Sequence, residues 1–474
     1  MSPLSQLRRF GRRFMLQQLS RQRPEKLLDL SRGRLERCFE RAARVSPAYR
    51  TLLAEAGLAG SAALSAQDIV TRAPLLDKAN TFGRFTITEL LAEDIPLSSI
   101  AGVLTSSGQG GKTFGFGMST RAQMDASAGA IDLGLQLAFG IDERSTLLVN
   151  CLPMGVVFTS RTVTVANVSV REDMALAIVR QAMPLYEQLI LCVDPLFFKR
   201  LLDHAQQQGF DWSGIRTNVI LGEETFSEDF RSYVAGRLHA EVDGAGADDP
   251  LIGSSMGAGE LGLNLFFETR ETIALRRAHH RRDPGAVLPV FFCYDPLRTF
   301  VEIHAPDADG VGELVITVLD AKATIPLIRY CTGDLARWLT EDDYAVVPAD
   351  VRVRLRAQPL PMIAMLGRKR DWIDARWHVD HFKSLLYRRP ELADLLSGAF
   401  RVFAGEPAPV WEVQLRRDAA VDPQAMAEAL AALVGEQCEQ PAAAVPTVRC
   451  HRYEAFPYGM SLDYERKFAY IGAR

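Results

Sequence analysis

Between residues 146 and 237, short uninterrupted apolar runs alternate with longer stretches in which apolar side chains recur every third or fourth position. Residues 146–150 (Thr-Leu-Leu-Val-Asn), 189–193 and 217–221 have the length and branched composition of buried strands, and residues 195–208 and 227–237 have the period of helices. This βαβα rhythm predicts a largely parallel sheet with helices on its faces, and in such sheets ligands sit beyond the carboxyl ends of the strands. An apolar helix is predicted over 124–139 and an alternating strand over 312–318. Near the end, 400–403 and 411–416 read as strands, 423–435 as an amphipathic helix and 447–453 as a further strand, together a small α+β unit. Residues 4–15 are basic, with apolar residues every three or four positions, and predict an amphipathic helix. The fold class expected is α/β: a large N-terminal domain of several subdomains with βαβ sheets, then a small α+β C-terminal domain.

Composition narrows the function without naming it. The chain has 474 residues, 48% hydrophobic and 24% charged, enough for two or three packed domains. Its 54 basic and 58 acidic side chains leave a formal charge of −4, so no global field recommends nucleic acid, and any anion site has to be local. Seven cysteines, at 38, 151, 192, 293, 331, 438 and 450, form no CxxC pair and suit reduced thiols. No apolar run approaches the roughly 18 residues of a membrane span, and the N-terminus lacks the apolar core of a signal peptide. A cytoplasmic location is the expectation, with a homodimer left open.

The densest chemistry is in residues 104–113. Gly108, Gly110 and Gly111 allow close backbone approach to an anion, Thr105, Ser106, Ser107 and Thr113 add hydroxyls, and Lys112 adds charge. A P-loop would need glycine at position 106, where serine stands, so the nucleoside-triphosphatase motif fails on spacing. Three further turns fall after predicted strands: residues 150–155, Gly222-Glu223-Glu224 and Gly253-Ser254-Ser255. Acidic residues at 223 and 224 also suit the N-terminus of the helix that follows. The run 276–282 (Arg-Arg-Ala-His-His-Arg-Arg) reads as a solvated loop, with the phosphates of a carrier as the alternative. His378 and His381 flank Asp380, but no third ligand accompanies them and metal is not expected there.

In order along the chain, these stretches resemble the adenylate-forming enzymes, and specifically the phenylacetate-CoA ligase group. Residues 106–112 resemble the Ser-Ser-Gly-Thr-Thr-Gly-Lys phosphate loop, with Gln109 and Gly110 replacing the threonines. Residues 41–53 and Pro74-Leu75-Leu76-Asp77-Lys78 resemble the group's N-terminal helical segment. Gly222-Glu223-Glu224 resembles the turn that packs against adenine. Residues 252–257 (Ile-Gly-Ser-Ser-Met-Gly) are similar to Tyr-Gly-Ser-Thr-Glu, with Met256 where a glutamate helps hold Mg²⁺. Residues 325–335 (Ile-Pro-Leu-Ile-Arg-Tyr-Cys-Thr-Gly-Asp-Leu) match the group's signature closely. Leu366-Gly367-Arg368-Lys369-Arg370-Asp371 resembles the hinge between domains, and Lys467 the lysine near the chain end.

The resemblance implies an ATP- and carboxylate-binding domain over 1–366, with a helical leader over 1–100, and a mobile lid over 367–474. It implies catalytic roles for Lys467 and Lys112. Nucleotide contacts would come from Thr105, Ser106, Ser107, Gly108, Gly110, Gly111, Lys112, Thr113, Gly222, Glu223, Ser254, Ser255, Asp334 and Arg368. Asp334, in a tight Thr-Gly-Asp turn, would accept from both ribose hydroxyls. Either Glu260 would replace the motif glutamate at Mg²⁺, or the ATP phosphates and water alone would hold the metal. Met154, Gly155, Val156 and Ile252 would line the acid pocket, and Cys331 would pack rather than react. The implied reaction is adenylation of an aryl or acyl carboxylic acid by ATP with Mg²⁺, then transfer to coenzyme A. Two alternatives stand beside it: loading of a carrier-protein phosphopantetheine or another nucleophile, and a non-catalytic nucleotide-binding homologue.

Overall fold

The computed structural model describes residues 3–60, 63–107, 113–153, 155–241, 249–437, 445–459 and 464–472. Their architecture is mixed α/β. Strands β1 (Ile100–Ser107) and β2 (Phe114–Thr120) pair as an antiparallel ribbon. Eleven strands make the main sheet: β3 (Thr146–Asn150), β4 (Thr164–Asn167), β5 (Gln188–Val193), β6 (Thr217–Leu221), β7 (Ile252–Ala258), β8 (Gly262–Phe267), β9 (Val290–Tyr294), β10 (Thr299–His304), β11 (Gly312–Val318), β12 (Tyr330–Trp338) and β13 (Met362–Gly367). Their order is β10-β11-β12-β13-β9-β8-β7-β6-β5-β3-β4. From β4 to β7 neighbours are parallel, and from β7 to β10 antiparallel. A third sheet, β14 (Leu396–Phe403), β15 (Val410–Leu415) and β16 (Thr447–His451), lies near the C-terminus.

The parallel half forms where the apolar runs predict it. Every residue of β3 and of β5 is buried, as expected of strands covered on both faces. Crossover helices begin where short polar side chains cap them: Asp194 accepts from the Phe197 amide ahead of Pro195–Gln207, and Ser227 from the Phe230 amide ahead of Glu228–Arg237. The antiparallel half is covered by the leader. Helices Pro24–Val45 and Pro47–Glu55 bring Leu35, Phe39, Tyr49 and Leu52 onto Tyr294, Ile316 and Tyr330, with Ser46 ending the first helix and capping the second.

Four features differ from the sequence reading. The helix Pro3–Ser20 turns Arg12 inward. Arg12 is buried against Asp142 and Asp132, and Arg13 meets Glu143 at 2.9 Å, whereas Leu7 and Phe10 face outward. Buried carboxylates on the body outweigh the apolar stripe in setting that helix's rotation. Residues 276–282 are the end of the helix Arg270–Arg282, not a loop. Arg276 and Arg277 there are buried beside Glu228, which burial would raise but which Arg231, Arg276 and Arg277 together hold down at about 2. Ser254 and Ser255 lie inside β7 rather than in a turn after it. Thr332-Gly333-Asp334 likewise lies inside β12, as an irregularity in its register with β11 centred on Gly333 at φ 80°.

One apolar core runs from β3, β5 and β6 through Phe197, Phe230 and Tyr233 to Phe382, Tyr387, Phe400 and Trp411. Phe230 meets Tyr387 edge to face at 4.7 Å, and Tyr387 also lies 5.3 Å from Tyr233. His378 and His381 cap the helix Val379–Arg388: the Asp380 amide donates to His378 Nδ1, and the His378 amide to His381 Nδ1. Their apparent metal spacing is therefore a capping pattern, and among the described residues no three His, Cys, Asp or Glu side chains are grouped to hold a metal ion. No helix among them is long and apolar enough to cross a membrane.

Candidate functional site

The carboxyl ends of β3, β5 and β6 deliver three turns to one place. The first, after β3, is tied by Asn150, whose amide Nδ2 donates to Val156 O and to Asn167 Oδ1, fixing the loop that carries Val156. The second is Asp194. The third is Gly222-Glu223-Glu224, where Glu223 holds φ 70°, a conformation that non-glycine residues adopt at a cost. A Cβ on Gly222 would lie 3.5 Å from Leu152 and 3.9 Å from Ser255 O, so the turn, the 151–156 loop and β7 meet there.

Lys467 reaches this turn from the end of the chain. Its Nζ donates to Glu223 O at 2.9 Å and lies 3.1 Å from Glu223 Oε2. Across from it, Arg368 Nε donates to Asp334 Oδ1 at 2.7 Å, joining the end of β13 to the irregularity in β12. Gly367, at φ 79°, makes the bend that turns Arg368 inward, and the Asp371 carboxylate holds the Arg368 amide at 2.9 Å.

Lys78 completes the arrangement, and the sequence reading gave it no role. Residues 75–77 run beside β12: the Leu76 amide donates to Arg329 O and Leu76 O accepts from the Cys331 amide, placing Lys78 at the ribbon. Its Nζ donates to Ser106 Oγ at 2.8 Å and lies 3.5 Å from Glu260 Oε1. Burial lowers its pKa, Glu260 opposes that, and Lys467 and Arg368 are close enough to lower it further. Lys467 and Arg368 thus both lie within electrostatic reach of Lys78 at the ribbon. The available signal in the sequence was a charged residue closing a Pro-Leu-Leu-Asp-Lys stretch, which carries no periodicity of its own.

Glu260 is committed differently from the expectation. Its Oε1 accepts from Tyr330 OH at 3.0 Å and pairs with Lys78, and its Oε2 is buried against the ribbon, where a Cβ on Gly115 would lie 3.2 Å away. A hard cation needs reachable oxygens. Among the described residues Glu260 is the anchor of Lys78 through Oε1, and its Oε2 has no hydrogen-bond partner. Met256, at the motif position, packs against the apolar core of the antiparallel half. Glu260→Gln is therefore expected to lower stability by about 1–2 kcal/mol, the partly exposed pair costing less than a fully buried one, without moving the Mg²⁺ dependence of activity. Thermal denaturation and a Mg²⁺ titration of the variant check this, and a raised Mg²⁺ requirement would restore the metal role.

The other expected residues are placed as follows. Thr105, Ser106 and Ser107 end β1, and Thr113 precedes β2. Gly108, Gly110, Gly111 and Lys112 of the loop, and Met154 of the pocket, lie outside the described residues. Ser255 Oγ donates to Asn264 Oδ1 at 2.8 Å, and the Ser254 amide to Glu268 Oε2 at 2.8 Å. Ile252 does not join Val156. It belongs to the core on the other face of the sheet, its carbonyl bound by Arg231, because alternation along β7 turns it away. Burial pushes the Cys331 thiol up to about 11, helped by Glu313, which leaves it unsuited to act as a nucleophile.

Asp194 lies beneath the Glu223-Glu224 turn. Burial first, then the Glu224 and Glu223 carboxylates, push it up to about 7, with the Phe197 amide and Lys383 pulling the other way. A carboxyl whose native pKa lies above its unfolded value keeps its proton in the native state between the two. Stability is greatest below the unfolded pKa near 4 and falls as pH rises to about 7. Asp194→Asn keeps the capping oxygen and removes the charge, so it is expected to raise stability at pH 8 by roughly 1–2 kcal/mol and to flatten that slope. Denaturant melts at pH 5 and pH 8 read the difference, and an unchanged slope would show that Asp194 titrates as an ordinary carboxylate.

No family model and no curated protein sequence matches the chain. Solved structures do. A 2-hydroxyisobutyryl-CoA ligase in the postadenylation state in complex with R3-HIB-AMP superposes with a TM-score of 0.64 at 13% identity, over 95% of this chain and 89% of that one. The same ligase in complex with 2-HIB-AMP and CoA in the thioesterification state gives 0.52 at 14%, over 94% and 89%. An acyl acid amido synthetase in complex with 2,4-DB gives 0.51 at 12%, over 94% and 91%. The chain has the fold of the adenylate-forming ligases. The resemblance read from the motifs holds at the level of that fold.

Proposed function

We propose that this protein activates a carboxylic acid with ATP and passes the acyl group to a thiol, with coenzyme A as the acceptor. The observation that carries the reading is that Lys467, bound to the Glu223 turn after β6, and Arg368, bound to Asp334, both lie within electrostatic reach of Lys78, which is bound to Ser106. A substrate carboxylate oxygen attacks the α-phosphorus. The bond from that phosphorus to the bridging oxygen breaks, and pyrophosphate leaves with the electron pair. The thiol sulfur then attacks the acyl carbon, its proton is lost, and AMP departs.

The protein's task in the first step is to bring two anions together and to stabilise charge building on the phosphoryl oxygens. In this reading Lys467 serves the α-phosphate, Lys78 and the ribbon hydroxyls the leaving pyrophosphate, and Asp334 with Arg368 the ribose. Val156 and Gly155, on the loop after β3, wall the acid. An amine acceptor is the second reading, favoured by a superposition on the amido synthetase as good as that on the CoA-bound ligase. ATP–pyrophosphate exchange across a panel of aryl and acyl acids, followed by mass analysis of products formed with coenzyme A or with amino acids, tests both. Absence of exchange with every acid would leave a nucleotide-binding homologue.

A further inference from the structure

Lys467 sits on a short arch of chain without regular structure, and both feet of that arch are tied down. On the near side, Tyr464 packs edge to face on Phe197 at 5.9 Å beneath the Arg200 guanidinium, and Glu465 accepts from Ser169 Oγ at 2.9 Å. On the far side, Tyr470 O accepts from the Val402 amide at 2.8 Å, and the Gly472 amide donates to Val402 O at 2.9 Å. One further set of bonds ties the far foot to the body. Glu224 Oε1 accepts from Tyr470 OH at 2.9 Å, and Glu224 Oε2 from Lys383 Nζ at 2.8 Å. Lys383 also donates to Thr225 O at 2.7 Å and lies 4.6 Å from the Tyr470 ring centroid. Glu224 directly follows Glu223, the residue that Lys467 itself touches. Burial works against charge on Lys383, yet Glu224 and Asp380 outweigh it, so it stays protonated.

We infer that Glu224, Lys383 and Tyr470 form a clamp that positions Lys467, making Lys383 and Tyr470 positioning residues for adenylation. A lysine on an untethered tail samples many orientations, and freezing it during reaction raises the barrier. A tail already fixed to the turn that it must face avoids that cost. Lys383 is buried, and its Nζ reaches the turn through Glu224 and Thr225 O.

The inference rests on the adenylation reading for its kinetic arm and is independent of it in its structural arm. Lys383→Met is expected to lower the pyrophosphate-exchange rate by about 10- to 100-fold with KM for ATP unchanged. In a Lys467→Ala background the same change should cost nothing further, since the clamp acts only through that lysine. Lys383→Arg should recover part of the rate. Tyr470→Phe, which removes one hydroxyl, should lower the rate in the same sense and serves if Lys383→Met does not fold. Amide hydrogen exchange over residues 464–472 should quicken in both variants relative to the body, whether or not any acid is adenylated. If Lys383→Met slows the Lys467→Ala variant by the same factor, or if exchange over 464–472 is unchanged, the clamp is refuted. Quickened exchange in a protein that adenylates no acid would keep the clamp and overturn the adenylation reading.

Discussion

Replacing Lys467 by alanine is expected to lower adenylation by about 10²-fold or more, near 3 kcal/mol of barrier, with ATP affinity little changed. The lysine lies at the carboxyl ends of the strands, 2.9 Å from Glu223 O, with Arg368 and Lys78 within electrostatic reach of one another around it. Negative charge concentrates on the phosphoryl oxygens only as the bond to pyrophosphate breaks, so a cation placed there favours the transition state over bound ATP. Rate should therefore suffer more than binding. Pyrophosphate exchange at saturating ATP reads the rate, and calorimetry reads the affinity. A loss of affinity as large as the loss of rate would make Lys467 an ordinary phosphate-binding residue.

Asp334→Ala is expected to weaken nucleotide binding by about 2–3 kcal/mol, roughly 30- to 150-fold, the cost of losing a charged acceptor. Asp334 is nearly buried. Its Oδ1 holds Arg368 at 2.7 Å, while Oδ2 has no donor among the described residues. The irregularity at Gly333 turns the carboxylate out of the β11–β12 ladder toward the site. Loss of Asp334 also frees the Arg368 guanidinium, so AMP, which lacks the outer phosphates, should be affected as much as ATP. Calorimetry with both nucleotides checks this. Equal affinity for wild type and variant would remove the ribose assignment.

The parallel half of the sheet was legible because β3, β5 and β6 are covered on both faces and so read as plain apolar runs. Their helices start at capping residues visible in the sequence, Asp194 and Ser227. The antiparallel half was less so. β7 and β12 each carry glycine and hydroxyl residues inside a strand, and those residues read as turns because local propensity cannot see the neighbouring strands that pair with them. The basic run at 276–282 read as solvated for the same reason. Its partner, Glu228, is about fifty residues away, and only the packed helices bring them together.

The sequence by itself determined the α/β class and singled out Lys467, Asp334 and Arg368 as candidates, because residue type, period and motif order are local properties of the chain. The tertiary structure alone decided that Lys78 lies beside β12 at the ribbon, and that Glu260 pairs with it. It also decided that Lys383 and Tyr470 meet on Glu224 and that Ile252 and Val156 belong to different cores. Each depends on which groups share a buried volume. A charge removed from water must find a partner there, and the partner is chosen by proximity in space, which no spacing along the chain records.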